Sequence, residues 1–317
     1  MKISYNFLII PILILFTGCQ TFLDVGDNMV RSFSVPEKPR TIVKDPVKEN
    51  VALSALWIGH ASFLIQIYDK VIMIDPLLTN NVAAVLRRHY IPGIDLKNLD
   101  QCDIILISHS HMDHLSIASL DMLEEKFPAA HLVFPEGAED YLPGYSFNFN
   151  KLKMSPSGNK QYTGETVIID SVKVTSIESV HWGGRFGLDG KLWTGKGHCA
   201  YIVEYKGISF YYSGDSSYDK DLFRFIKENY DIDLALVNII YCDGCRELNQ
   251  SKSHLYPMGA VKIFEDTDAD FMIPAHFGTF TDVNKQIKVL KSMMHTDDEK
   301  KKKIKILNLG EQVILKQ

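Results

Sequence analysis

Hydrophobic and polar positions along the chain form two kinds of pattern, which together predict an α/β fold. Short apolar or alternating runs that end in polar residues or glycine are typical of strands, and apolar residues three or four positions apart are typical of amphipathic helices. Helices are predicted at Ile117–Phe127, Lys220–Asn229, Met258–Asp266 and Val283–Met293. Strands are predicted at Ser54–Trp57, Ser62–Tyr68, Val71–Ile74, Ile104–Ser108, His131–Phe134, Thr166–Ile169, Val172–Ser176, Ala200–Tyr205, Ile208–Ser213, Leu234–Asn238, Phe271–Pro274, Ile304–Leu307 and Gln312–Leu315. Paired strands with separate helices favour two sheets with helices outside them.

The N-terminal region resembles an export signal. Lys2 precedes an apolar run, Phe7–Phe16, which is too short for a bilayer span of about 20 residues but typical of the apolar core of a signal peptide. The following "LFTGC" resembles a bacterial lipoprotein cleavage box ending in Cys19. We therefore expect a lipoprotein signal peptide at 1–18, a tether or N-terminal arm at 19–50 and one large domain at 51–317. The alternative is an uncleaved hydrophobic anchor.

Composition narrows the class of protein. Hydrophobic residues are 46% of the chain and charged residues 23%, an ordinary globular balance. The net charge is −5 and there is no basic stripe, so no nucleic-acid partner is expected. The run "KKKKIKI", Lys300–Ile306, is predicted to be a solvated loop that leads into a terminal strand. A local disulfide or free thiols are expected for Cys242 and Cys245 in "CDGC".

The stretch "SHSHMDHLS", Ser108 to Ser116, gathers three of the chain's 11 histidines and an aspartate directly after an apolar run. His109 and His111 are two residues apart, and in an extended chain such side chains project to the same side, so both can reach one metal ion. Asp113 and His114 fall where the chain turns into a predicted helix and suit a second ion. A loop whose histidines only cap the helix is the alternative, but converging buried polar groups are costly without a partner.

Three further ligand candidates, His181, Asp215 and His276, each end a strand-like run. Open α/β folds commonly place their sites at the C-terminal ends of strands, and the two carboxylate oxygens of Asp215 allow it to bridge two cations. One ion is assigned to His109, His111, His181 and Asp215, and the other to Asp113, His114, Asp215 and His276. Imidazole and carboxylate ligands suit two Zn²⁺ ions, with iron or manganese as alternatives.

The histidine-rich stretch resembles the signature of the metallo-β-lactamase fold. Further blocks are similar, in order, to the branch of N-acylphosphatidylethanolamine-hydrolysing phospholipases D. These blocks are "LWIGHASFLIQ", "IDP", "HWGGR", "SGDSSYD", "SHLYPMGAVKIF" and "AHFGTF", and the resemblance spans Ala55 to Phe280. It implies a four-layer αββα sandwich that binds two zinc ions through the seven ligands named above.

The resemblance also implies roles for residues around the metals. Asp75 is expected to brace the metal loop, because ligand histidines need oriented partners. His254 matches a histidine near the family's reacting phosphate, although a histidine shortly before Pro257 is equally typical of a helix start. Asp113 and His254 are therefore the candidate catalytic residues.

The chain departs from the branch at several positions. Ser216-Ser217 stands where the family usually has Thr-Gly, Phe277 where it has Trp, and Tyr241–Gln250 differs from the segment that helps to shape the substrate cavity. His60 is expected to support the site rather than bind metal. Tyr212 and Trp182 are expected in the core or at the rim.

The function implied is that of a binuclear metal-dependent hydrolase of phospholipase D type. A metal-bound hydroxide would hydrolyse N-acylphosphatidylethanolamine or a related membrane phospholipid, and lipid on Cys19 would hold the enzyme at a bacterial membrane, facing the periplasm or the cell exterior. One alternative is a binuclear zinc hydrolase of a lactone, thioester or β-lactam. The other is a non-catalytic, lipid-binding surface lipoprotein.

Overall fold

The computed structural model of the protein describes residues 36–37, 42–82, 86–154, 161–185, 189, 196–240, 254–280, 283–295 and 297–317. The predicted signal peptide with Cys19, the "CDGC" cysteines and the departing segment 241–250 lie outside these residues. Cys102 and Cys199 are buried free thiols. Among the described residues, no helix combines the length and apolar character needed to cross a bilayer.

The first sheet has seven strands in the order β15-β1-β2-β3-β6-β7-β8. β3, β6, β7 and β8 are parallel neighbours, whereas β15, β1, β2 and β3 pair antiparallel. Its strands are β1 (Leu53–Gly59), β2 (Ser62–Ile67), β3 (Lys70–Ile74), β6 (Ile104–Leu106), β7 (His131–Pro135), β8 (Asn148–Leu152) and β15 (Gln312–Lys316). A separate two-stranded ribbon is formed by β4 (Asn81–Val82) and β5 (Leu86–Arg87).

The second sheet has six strands in the order β14-β13-β12-β11-β10-β9. β12, β13 and β14 run parallel, and the remaining pairs are antiparallel. Its strands are β9 (Thr163–Ile169), β10 (Val172–Ile177), β11 (Ala200–Tyr205), β12 (Ile208–Tyr212), β13 (Leu234–Asn238) and β14 (Phe271–Ala275).

The helices complete a sandwich. They are α1 (Ile117–Lys126), α2 (Lys220–Asn229), α3 (Pro257–Thr267), α4 (Val283–Met294) and α5 (Asp298–Lys303). Alternate residues of the first sheet join different clusters: Ala55 and Trp57 of β1 belong to the larger core shared with the second sheet, whereas Leu56 and Ile58 belong to the cluster that contains Leu120 of α1. Side chains of successive strand residues point to opposite faces, so this sheet is covered on both sides. The predicted four-layer αββα fold is confirmed.

Five elements differ from the sequence-based prediction, and two of them are the short strands β4 and β5, which were not predicted. β8 was missed because its sequence, NFNKL, is polar and mostly exposed, as suits an edge strand. The lysine run does not begin in a loop: Asp298–Lys303 form α5, which is capped by Asp297 and carries charge pairs three residues apart. The strand predicted at Ile304–Leu307 is reduced to a single bridge between Ile304 and Met272.

Candidate metal centre

The predicted ligands lie on loops that leave the ends of β6, β10, β12 and β14. The loop after β6 is held against the segment that leads into β11 by two hydrogen bonds, from the Ser110 N–H to the Gly197 carbonyl at 3.1 Å and from the Cys199 N–H to the Ser108 carbonyl at 2.8 Å. Gly214 has a φ of +53°, and a Cβ there would lie 2.9 Å from Ser108 Cβ. A glycine at this position therefore lets the Asp215 loop approach the histidine loop.

His109, His111 and His181 form the first ligand group. His111 Nδ1 lies 2.8 Å from His109 Nε2 and 3.3 Å from His181 Nε2. β6 ends at Leu106, so the extended spacing assumed for His109 and His111 is not that of a continuous strand. The loop nevertheless brings their rings together, as the prediction required.

Asp113, His114 and His276 form the second group. Asp113 Oδ2 lies 3.7 Å from His114 Nε2 and 3.6 Å from His276 Nε2. The same oxygen accepts a hydrogen bond from His60 Nε2 at 2.9 Å. His60 therefore holds a carboxylate of the site, which fits the expected supporting role, although its ring is also near enough to be counted with the group.

Asp215 lies between the groups. Its Oδ2 is 3.5 Å from His114 Nε2 and 3.4 Å from both His276 Nε2 and His254 Nε2. Its Oδ1 accepts a hydrogen bond from Asn238 Nδ2 at 3.1 Å. A bridge through Asp215 would thus use one oxygen, whereas the sequence argument relied on both.

Asp75 fixes the orientation of the histidine loop, as the resemblance implied. This fully buried carboxylate accepts hydrogen bonds from the Ser108 N–H at 2.7 Å, the Ser108 hydroxyl at 2.5 Å, His114 Nδ1 at 2.7 Å and the Tyr212 hydroxyl at 2.5 Å. The Ser108 hydroxyl is committed to Asp75, so it must accept from His109 Nδ1, 3.0 Å away. Both histidines then carry a proton on Nδ1, so Nε2 is the ring nitrogen that can bind a metal once it carries no proton.

Two buried ring nitrogens indicate that a cation fits in this site. His114 Nε2 and His276 Nε2 are buried and make no hydrogen bond with a described residue, although both lie within 4 Å of carboxylates. Unsatisfied buried polar atoms are rare in native proteins, and two that converge on carboxylate oxygens suit a bound cation. Among the described residues, no cysteine joins these groups, so the donors are nitrogen and oxygen.

The pKa shifts keep some histidines of the site neutral, and the neutral ring is the form that binds a metal ion. Burial lowers the pKa of His109 well below its usual value and that of His60 to about 3, which keeps both rings neutral. Burial also opposes charge on His114, but the carboxylates of Asp215, Asp113 and Asp75 outweigh it and raise its pKa well above the usual value. A cation that enters the site must displace that proton.

Three residues that shape the site have left-handed backbone conformations. The φ angles are +55° at His60, +37° at Asp75 and +66° at His276. Each follows the end of a strand, and such conformations are strained for residues other than glycine. Strain of this kind clusters at functional sites, where the surrounding structure enforces it.

His254 and Trp182 border the site. His254 lies just before α3, with its side chain 25% exposed and its ring 5.1 Å from that of His181. Trp182 stacks on His181 at 4.4 Å and is 38% exposed, as expected for a rim residue. Tyr212, in contrast, is fully buried in the core.

The chain departs from the phospholipase D branch at Ser216, Ser217 and Phe277. These side chains do not line the open side of the site. All three side chains are almost completely buried. Ser216 Oγ accepts a hydrogen bond from the Val180 N–H at 3.0 Å, so it joins the Asp215 loop to the His181 loop. Phe277 packs against Trp57, with ring centres 4.6 Å apart. These residues therefore affect how the ligand loops are held in place.

The sandwich and its imidazole–carboxylate centre define a metal-dependent hydrolase. Residues 70–277 match the family model described as a β-lactamase superfamily domain. The match covers most of the chain and includes all the predicted metal ligands, so the protein belongs to this superfamily.

Individual relatives agree on this class. A mitochondrial N-acyl-phosphatidylethanolamine-hydrolyzing phospholipase D from Saccharomyces cerevisiae is 28% identical over 231 residues, which cover 71% of this chain but only 47% of the relative. A metal-dependent hydrolase from Thermodesulfovibrio yellowstonii is 28% identical over 249 residues, covering 77% of this chain and 85% of the relative. The structure of the metallo hydrolase Igni18 from Ignicoccus hospitalis matches with a TM-score of 0.60 at 16% identity, over 82% of this chain and 97% of that one, which supports the fold.

Proposed function

We propose that the protein is a binuclear, zinc-dependent phosphodiesterase that hydrolyses N-acylphosphatidylethanolamine or a related phospholipid at the phosphate bond distal to the glyceride. The observation that carries the proposal is the 28% identity with the yeast phospholipase D over 231 residues, which cover 71% of this chain. The products would be phosphatidic acid and an N-acylethanolamine.

The two ligand groups would hold two cations that share Asp215. His109, His111 and His181 would bind one ion, and Asp113, His114 and His276 the other, with Asp215 shared between the groups. Metal ions bound in this way supply an activated water and neutralise charge on a phosphoryl group. Asp75 and His60 keep the ligands oriented through the hydrogen bonds to His114 and Asp113.

His254 is the candidate for contact with the substrate. Its ring lies beside Asp215 and Trp182 at the partly exposed side of the centre. From there, Nε2 would donate a hydrogen bond to a phosphate oxygen or a proton to the departing alkoxide. Asp113, also a proposed ligand, is the second catalytic candidate, and His60 would hold its Oδ2 in place.

Hydrolysis in oxygen-18 water tests the reaction. Zinc-loaded protein is incubated with N-acylphosphatidylethanolamine, and both products are analysed by mass spectrometry. Attack at phosphorus places the label in phosphatidic acid. Label in the N-acylethanolamine would indicate attack at carbon and contradict the mechanism.

A lactone, a thioester and a β-lactam are assayed with the same sample, because an activated water attacks carbonyl carbon as readily as phosphorus. Turnover of one of these substrates with no phospholipid hydrolysis would overturn the proposed substrate and leave the hydrolase class intact. Matched samples stripped of metal should be inactive towards every substrate.

The proposed location is a bacterial membrane, with lipid on Cys19 and the domain facing the periplasm or the cell exterior. A membrane-bound enzyme would meet a phospholipid substrate by diffusion in two dimensions. The lipoprotein-like stretch ending in Cys19 supports this proposal.

A further inference from the structure

Two buried polar side chains outside the ligand set connect the carboxylates of the metal centre. Tyr212 donates a hydrogen bond to Asp75 Oδ2 at 2.5 Å. Asn238 Nδ2 lies 3.3 Å from the Tyr212 hydroxyl and 3.1 Å from Asp215 Oδ1. A continuous chain therefore runs from the carboxylate that orients His114 to the carboxylate that lies between the ligand groups.

The direction of these hydrogen bonds is determined by the groups involved. The Tyr212 hydroxyl gives its only proton to Asp75, so it can only accept from Asn238. Asp215 is a carboxylate and also accepts. Both partners of the Asn238 amide are thus acceptors, and its NH₂ group, which has two protons, is the only end that satisfies them.

This orientation leaves Asn238 Oδ1 buried and without a hydrogen-bond partner among the described residues. Asn238 is only 3% exposed and ends β13, whose other residues are Leu234, Ala235, Leu236 and Val237. A leucine or valine would continue that apolar run without the free energy cost of a buried, unsatisfied carbonyl oxygen. The cost of burying this unsatisfied oxygen indicates that the NH₂ group of Asn238 has a role in the site.

We infer that Tyr212 and Asn238 are positioning residues that act as one link and hold Asp75 and Asp215 in the geometry that binds metal. Asn238 fixes Asp215 Oδ1, so that Oδ2 alone faces His114, His254 and His276. Tyr212 supplies one of the donors that hold Asp75 against His114. The inference rests on the metal-dependent class of the protein and is independent of the substrate.

The neighbouring Tyr211 provides a matched control. Both tyrosines lie on β12 and are fully buried, but the Tyr211 hydroxyl makes no hydrogen bond with a described residue, and its ring packs against Phe223 of α2. Tyr211→Phe and Tyr212→Phe each remove one buried oxygen from the same strand. Only Tyr212→Phe interrupts the link.

Cobalt binding to the full chain tests the inference, since Co²⁺ bound to nitrogen and oxygen ligands has a visible spectrum that reports on its geometry. We expect Tyr212→Phe to weaken Co²⁺ binding about 10-fold and to shift the visible bands. This is the low end of the effect of losing a partner of a metal ligand, because Tyr212 contacts Asp75 and Asn238, which in turn contact the ligands. Tyr211→Phe should leave both affinity and spectrum unchanged. Equal effects of the two substitutions would show that the Tyr212 hydroxyl has only a structural role and would overturn the inference.

A double-mutant cycle with Asn238→Leu tests whether the two residues act as one link. If they do, the Tyr212→Phe/Asn238→Leu protein should bind Co²⁺ little more weakly than the worse single variant. Independent, multiplying losses of affinity would overturn the link. Because the assay uses no substrate, failure to hydrolyse phospholipid would count against the proposed function alone.

Discussion

Asp215→Asn is the substitution that should damage the metal centre most severely. Asn238 donates to the Oδ1 position, so the oxygen of the new amide is held there and its NH₂ group takes the place of Oδ2. That position lies 3.4–3.5 Å from the Nε2 atoms of His114, His254 and His276. A donor would then face the space that both cations are proposed to share, and the negative charge would be lost.

The distances set the size of the effect. A unit charge pair at 3.5 Å interacts by about 5 kcal/mol at an effective dielectric constant of 20. The estimate applies to the Asp215 carboxylate and the singly charged imidazolium of His114. A divalent ion would interact with the carboxylate more strongly. Since 1.4 kcal/mol is a tenfold change in affinity, we expect metal binding to weaken by at least about a thousandfold.

Metal content after dialysis against a zinc buffer, measured by mass spectrometry, checks this prediction. The wild-type chain should retain about two ions, as the two ligand groups imply, and Asp215→Asn close to none. His181→Ala is the comparison, because His181 belongs to one group and its loss should weaken mainly one ion. Full metal content and activity in Asp215→Asn would refute the assignment of Asp215 as the shared ligand.

Three further predictions follow from other residues. His254→Ala should lower phospholipid turnover about 100-fold while both ions stay bound, as expected for a residue that contacts the phosphate; loss of metal would make His254 a ligand instead. In the metal-free protein, the pKa of His114 is higher in the folded than in the unfolded chain, where it is about 6.5. Protonated His114 therefore stabilises the fold below about pH 6.5, and this contribution is lost as the pH rises through the pKa of the folded state. Metal binding near pH 7 should accordingly release about one proton from His114, measurable by calorimetry in buffers of different ionisation enthalpy. Cys19→Ala should block processing after residue 18 and leave a longer precursor on a gel, whereas normal cleavage would contradict lipid attachment.

The sequence predicted the strands that carry ligands because these strands are continuous or alternating apolar runs. β11 and β13 were predicted with the bounds that the structure shows, and the ends of β6, β10, β12 and β14 were placed within two residues. A strand buried on both faces needs apolar side chains at nearly every position, so it is easy to recognise in the sequence. The polar edge strand β8 and the charged helix α5 lack such a signal, since their stability depends on neighbours and local charge pairs.

The predicted metal ligands have strong chemical signatures, but their supporting residues do not. Tyr212 follows another tyrosine in an apolar strand, and Asn238 is a single amide at the end of a second strand. Their roles depend on contacts with residues more than 20 positions away in sequence. The left-handed conformation of His60 and its hydrogen bond to Asp113 depend in the same way on the folded loops.

The origin of the ligands in both sheets has a consequence for protein synthesis. His109, His111, Asp113 and His114 follow a strand of the first sheet, whereas His181, Asp215 and His276 follow strands of the second. A nascent chain that has completed β6 and α1 carries only half of the centre, and the last ligand emerges after β14. The complete ligand set can therefore form only after the second sheet is made and docked against the first.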